Sequence, residues 1–324
     1  MEPCSGIIRA AGEVLERHTE RVRRLRASEI SWHYIQGRAP AQRPDTPDAL
    51  VAAPLLSLWL AYLARGQFGR SLGCAELGAA VASKTGDTDL LAVHTSNLGL
   101  QHFYMGDWRE ARDCLERTVG LSRGTQLSYY SYLPSAYLDV LRKAEGAWEE
   151  ATRCFSEAGA IAREAGNGEG TRYAEVRLVE MEVLRGRPAD AIARLGPDLS
   201  DLTWWYEVLL LSVLAEAYAD TDEAARAEEL ADLALTRARH TRNRLDGVEA
   251  LRVRAKGLST QGRTEEATAA LEQALSWARS MPYPYGEARV LREYSMLHLR
   301  EGAPEIARKR LSAALETFCG LGAT

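Results

Sequence analysis

Seven short blocks punctuate the chain at near-regular intervals, each a glycine or aspartate, a brief turn and the start of an amphipathic stretch. Gly66-Gln67-Phe68, Gly106-Asp107-Trp108, Gly146-Ala147-Trp148 and Gly186-Arg187-Pro188 stand 40 residues apart. A block at Asp220 follows after 34 residues, one at Gly262 after 42 and one at Gly302 after 40. A glycine that ends one helix, followed by acidic residues that open the next, is the local signature of two antiparallel helices joined by a tight turn. Several segments after the blocks carry a clear 3.6-residue period, as in Ala267, Ala270, Leu271, Ala274, Leu275 and Ala278, so one face is apolar and the other charged.

This pattern predicts first helices over 48–64, 88–104, 127–144, 169–185, 203–219, 245–261 and 284–301. It predicts second helices over 68–83, 107–122, 147–165, 188–195, 222–239, 264–279 and 304–319. No stretch alternates as a strand would. A hairpin of this size cannot bury its apolar face by itself, and the repetition lets each bury that face on its neighbours. The expected fold is all-α, a right-handed superhelical solenoid of about seven antiparallel hairpins over 48–324. Residues 1–47 form an expected N-terminal helical cap or joint. Gly196-Pro197 cuts one second helix short, and Pro134 is expected to kink the helix predicted over 127–144.

Composition fits a soluble globular chain of 324 residues, with 46% hydrophobic and 26% charged positions. The formal net charge is −5, so the overall basic character of a nucleic-acid-coating protein is missing. Four of the 40 basic residues are lysines, leaving 36 arginines suited to carboxylates and phosphates. The longest apolar run, 49–64, contains Pro54 and Ser57 and is shorter than a bilayer span requires. No secretory signal opens the sequence, so the expectation is a cytoplasmic chain with no membrane contact. The basic N-terminal stretch with Arg17, Arg21 and Arg24 is interrupted by Glu13, Glu16 and Glu20, and reads as a solvated face.

The chemistry-bearing motifs are weak. Gly69-Arg70-Ser71-Leu72-Gly73 matches the nucleophile elbow of α/β-hydrolases, but that motif needs a strand-to-helix turn, and here it opens a helix. Cys74, Cys114 and Cys154 recur every 40 residues in equivalent slots, too far apart for disulfides across stacked hairpins, and read as small buried residues. No His or Cys spacing matches a zinc site. The chain is therefore expected to be non-enzymatic, with no metal and no cofactor.

Leu98, Gly99, Trp108 and Ala111 carry the Leu-Gly, aromatic and alanine positions of the tetratricopeptide repeat family, and Trp148 and Ala151 repeat the second half. The chain resembles that family in its longer, roughly 40-residue form, although Gly99 has no glycine counterpart in the other repeats. The segments 276–289 and 314–323, with Ser28-Glu29-Ile30-Ser31-Trp32-His33-Tyr34, further resemble the sensor arm of bacterial regulators of the MalT and LuxR type. No phosphate loop accompanies that likeness.

The resemblance implies that first helices line a concave groove. Carried over, the groove positions are Leu100, Phe103 and Tyr104, then Val140, Tyr173 and Glu207, and finally Arg252, Lys256, Arg289 and Arg292. The implied groove is apolar at one end and cationic at the other. It suits a protein or peptide partner with acidic residues, or a small anionic effector, with no direct contact to nucleic acid. Treating Arg252 and Arg289 as groove-wall cations predicts that reversing both charges removes binding and spares the fold. Two aromatic clusters, Tyr129, Tyr130, Tyr132 and Tyr137, and Trp204, Trp205 and Tyr206, are readable as binding anchors or as core, with core packing favoured. The implied function is the sensor or partner-binding arm of a bacterial transcriptional or signalling regulator; the alternative is a stand-alone scaffold with no effector.

Overall fold

The computed structural model describes residues 47–122, 131–195 and 206–323. Seven antiparallel helix pairs occupy these segments: α1 (Pro47–Ala64) with α2 (Phe68–Thr85), α3 (Thr88–Met105) with α4 (Trp108–Ser122), and α5 (Leu133–Glu145) with α6 (Trp148–Glu164). They continue as α7 (Gly168–Leu184) with α8 (Pro188–Leu195), α9 (Glu207–Asp220) with α10 (Ala224–Thr241), α11 (Arg244–Thr260) with α12 (Thr264–Ser280), and α13 (Pro284–Arg300) with α14 (Pro304–Leu321). No strand occurs among the described residues. The chain is an all-α solenoid of stacked hairpins. No helix among the described residues is long and apolar enough to cross a membrane. The cap or joint expected over 1–47, apart from Pro47, lies outside the described residues, as do Tyr129, Tyr130, Trp204 and Trp205.

The expected helix bounds hold to within two residues, except at the starts of α5 and α9. The structure corrects two local expectations. Pro134 falls in the first turn of α5, where its missing N–H would have had no helical partner, and so it opens the helix instead of kinking it. The fifth turn is also shifted. The six turn glycines from Gly66 to Gly302 have positive φ, but in the fifth turn that conformation belongs to Asp222, at 60°, and not to Asp220, which ends α9.

First and second helices differ in what surrounds them. α9 is apolar on nearly every side, with Val208, Leu210, Leu211, Val213, Leu214 and Ala217 buried. α12 buries a single stripe, Ala267, Ala270, Leu271, Ala274, Leu275 and Ala278, and turns its charges outward. First helices are thus sandwiched within the stack, whereas second helices form its outer wall. Buried alanines along the second helices allow close approach of the neighbouring helices. At the last hairpin, Met296, Leu299, Ile306, Leu311 and Leu315 remain exposed, because no further hairpin covers them among the described residues.

The solenoid also winds back onto itself. α1 touches α11 and α3 touches α13, so the first hairpin meets the sixth and the second meets the seventh. Five hairpins complete one superhelical turn, and successive turns are in contact. Gly66 abuts the side chain of Met281. At Gly106, whose φ is +90°, an added Cβ would fall 2.7 Å from Pro284 Cγ and 3.1 Å from Leu321 Cδ2. Gly186 has a similar φ of +72° and open space around it.

These two glycines separate local strain from closure. Gly186→Ala should lose about 1–2 kcal/mol, the cost of a left-handed conformation for an ordinary residue. Gly106→Ala should lose measurably more in urea unfolding, because its methyl group also wedges the second hairpin away from the seventh.

Candidate functional site

The seam that closes the superhelix is aromatic. Phe103 stacks on Trp108 at 5.6 Å between ring centres, and both rings lie against Tyr285, at 5.8 and 5.6 Å. Tyr104 meets Tyr283 edge-on at 5.4 Å, and Phe318 packs on Tyr285 at 5.8 Å. Pro284, between the two tyrosines at the start of α13, lies against Gly106. Trp108 Nε1 donates to Phe103 O at 3.1 Å, so the indole is fixed by its own hairpin before it meets Tyr285. Such offset and edge-to-face pairs add about 0.5–1.5 kcal/mol each beyond the area they bury.

Beside this seam the inner helices surround a cavity of about 60 Å³, roomy enough for a few waters. α1 supplies Trp59, Leu60 and Leu63, α3 supplies Leu100 and Tyr104, and Tyr137 comes from α5. Tyr173 and Arg177 of α7, Leu209 of α9 and Asn243, Leu245 and Asp246 at the start of α11 complete it, with Tyr206. The wall therefore comes from the first helices of six successive hairpins, a consequence of five hairpins per turn. Burial pushes the Tyr104 and Tyr173 hydroxyls up, which keeps both phenols protonated. Of the aromatic clusters anticipated in the sequence, Tyr132, Tyr137 and Tyr206 are buried core residues, and the last two also line this cavity.

Deeper along the inner face, charge is matched by charge. Arg252 is 1% exposed. Its guanidinium contacts Glu216 at 2.6 Å, Glu249 at 2.5 Å and Glu293 at 3.1 Å. Arg289 reaches Glu249 at 2.9 Å, and Lys256 reaches Asp220 at 2.6 Å and Glu216 at 3.5 Å. A second cluster joins Lys143 to Glu180 at 2.5 Å, and Glu180 to Arg177 at 3.0 Å. Arg177 Nε donates to Tyr173 Oη at 3.0 Å. Burial works to raise Glu180, but Lys143 and Arg177 overcome it and hold the carboxyl at about 2. Burial lowers Lys143 to about 8 against the pull of Glu180, so both ends of this pair are charged at neutral pH.

The positions carried over from the repeat pattern are thus brought together only in part. Leu100, Tyr104 and Tyr173 line the cavity, and Phe103 belongs to the adjoining seam. Val140 is buried core. Glu207 pairs with Arg237 of α10 at 3.0 Å, engaged by the second helix of its own hairpin. Arg252, Lys256 and Arg289 stand together, but among carboxylates, so the cationic groove end is neutralised internally. Arg292 is exposed. The expectation that reversing Arg252 and Arg289 would spare the fold is overturned, because Arg252 is the hub of a buried ionic cluster.

Other motifs resolve as structure. Ser71 is buried within α2 and its single hydroxyl proton is shared between Gln101 Oε1 at 2.6 Å and Phe68 O at 3.0 Å, so the apparent nucleophile elbow is a helix-packing serine. Cys74, Cys114 and Cys154 are free and half-buried, less enclosed than expected. Cys154 Sγ accepts from Arg142 Nη1 at 2.8 Å, and burial raises the adjacent Asp139 carboxyl to about 8. Sequence reasoning missed Trp59, Arg177 and Asp246 in the cavity wall. The available signal was the acidic Asp246 three residues after the capping Asn243, and the Arg177–Glu180 spacing on an otherwise apolar helix.

No family model and no curated protein matches the chain. Among solved structures it is similar to the Rap conjugation gene regulator of the plasmid pLS20 in complex with the Phr* peptide. That match has a TM-score of 0.66 and 11% identity, covering 89% of this chain and 82% of the other. It is also similar to the APC/C hetero-tetramer Cut9-Hcn1, with a TM-score of 0.51 and 14% identity, covering 94% of this chain and 59% of that one. The fold is a tetratricopeptide-like solenoid. Both likenesses are of fold alone, and neither assigns a ligand to this tetratricopeptide-like chain.

Two outcomes test the ionic interior. Arg252→Ala should destabilise the chain by about 3–5 kcal/mol in urea titrations, because it removes the cation shared by Glu216, Glu249 and Glu293 and leaves the buried Glu293 without its ion-pair partner. Glu180 is held below its ordinary value of 4.5. Its contribution is therefore complete above pH 4.5 and is lost as pH falls toward 2. The parent should lose about 1–3 kcal/mol more over that window than Glu180→Gln.

Proposed function

We propose that this tetratricopeptide-like solenoid is a non-enzymatic recognition module that takes a peptide segment of its partner into the inner face, serving as the sensing arm of a bacterial transcriptional or signalling regulator. The carrying observation is that six hairpins turn their first helices toward one partly apolar cavity next to the seam that joins successive superhelical turns. An occupant of that cavity contacts both turns at once, so binding and superhelical closure are linked. A ligand can shift such an equilibrium only by its differential affinity for the open and closed forms, and a cavity whose two walls separate on opening supplies that difference. The solved complex of the Rap regulator with a peptide supports this reading as a precedent for the fold. The internal neutralisation of Arg252, Lys256 and Arg289 favours a peptide over a small anionic effector.

A scaffold with no effector would bind partners without altering closure, which separates the two readings. The tagged chain should recover a partner from its native cells, identified by mass spectrometry. Leu60→Arg, which places a charge on the cavity wall, should reduce that recovery at least tenfold, whereas Glu76→Arg, exposed on α2, should not. Equal recovery with both variants, at matched thermal unfolding, would reject the inner face as the binding surface.

A further inference from the structure

Within the cavity three polar groups have bonding capacity that the chain does not fill. Asp246 Oδ2 accepts from Asn243 Nδ2 at 2.7 Å, while its second oxygen has no hydrogen-bond partner among the described residues. Arg177 uses Nε on Tyr173 Oη and Nη1 on Glu180 Oε2 at 3.0 Å each, and its guanidinium lies 5.0 Å from the Tyr173 ring centre. Its Nη2 has no partner among the described residues. Trp59 is 1% exposed and its Nε1–H is likewise unpartnered. The Trp59 N–H is buried without a partner, whereas the second Asp246 oxygen and Arg177 Nη2 belong to side chains that line the cavity and are left open to an occupant.

The set has a definite complementarity. One anionic acceptor faces the same small space as one cationic donor, and the intervening wall is aromatic and aliphatic. A bare anion would meet Asp246, and a bare cation would meet Arg177, each at like-charge cost. A group presenting a cationic donor and a neutral or anionic acceptor a few ångströms apart satisfies both. The α-ammonium of an amino-terminal residue, next to its own carbonyl, has that arrangement, and an apolar first side chain would match Leu63, Leu100 and Tyr137. Asp246 is held in place by reciprocal bonds with Asn243, whose side-chain oxygen accepts from the Asp246 amide at 3.0 Å. The carboxylate is therefore preorganised, and little ordering remains to be done on binding.

We propose that this cavity recognises a free α-ammonium group with its adjoining carbonyl on an apolar residue, with Asp246 receiving the ammonium and Arg177 the carbonyl. The inference rests on the peptide-binding reading above and adds which end of the peptide enters. The same chemistry is offered by a free amino acid, and the test separates the two sources.

Titration calorimetry on the unaltered full chain would compare the tripeptide Leu-Gly-Gly, its N-acetylated form, 4-methylpentanoyl-Gly-Gly, which lacks only the amine, and free leucine. The expected result is that Leu-Gly-Gly binds at least tenfold more tightly than both amine-blocked and amine-free forms. Tighter binding of free leucine than of the tripeptide would keep the α-ammonium site but identify an amino acid as its occupant, against the peptide reading. Equal binding of the three tripeptide forms would overturn the proposal and leave peptide binding standing, and no binding of any probe would reject the proposal. Asp246→Asn, which retains an oxygen to accept from Asn243, should abolish the tenfold preference without changing affinity for the acetylated form.

Discussion

A pair of helices of at most 18 residues each, as in α1 and α2, buries too little apolar surface to stand by itself, so each hairpin here depends on the face its neighbour offers. That dependence accounts for the division of labour between helices. Those of the inner series are enclosed on nearly all sides and can be almost wholly apolar, while those of the outer series need one apolar stripe and small residues. It also accounts for the spacing of the turn residues, since only a repeated hairpin length keeps successive faces in register.

Closure of the superhelix adds a second layer of packing to this nearest-neighbour scheme. The aromatic residues around the Gly106 turn are covered not by the next hairpin but by one five units further along the chain. This long-range contact converts a groove into a bounded cavity, and it places the ionic interior where water is scarce. The buried arginine among three glutamates then becomes structural: its removal strands carboxylates, while its presence ties three consecutive inner helices to one centre. Asp246, Asn243 and Tyr104 in the cavity wall stand outside this network.

The repeat was legible because it is local. A positive-φ glycine, an N-terminal acid and a 3.6-residue apolar period each act within a few residues, and they place the helix ends from Phe68 to Leu321. What was not legible is long-range. Nothing within 40 residues of Tyr285 indicates that it packs on Phe103 and Trp108. The sequence shows Arg252 beside Glu249, which suggests a surface pair, but Glu216 and Glu293 lie 36 and 41 residues away and join it only once the hairpins stack. Asp222 escaped notice for a different reason. Asp tolerates the left-handed conformation better than most residues, so the turn needed no glycine and two neighbouring aspartates competed for the position.

Contact between hairpins five apart gives this solenoid a property that open repeat arrays lack. In an array held together only by nearest neighbours, units can be gained or lost by duplication with modest effect, since every junction is much like the next. Here the count is fixed as in a threaded screw: inserting one hairpin between the second and the seventh would bring Gly106 opposite the wrong turn and separate Phe103 from Tyr285. Drift in the number of repeats, a common route by which such proteins diverge, is closed to this chain unless the seam is rebuilt at the same time.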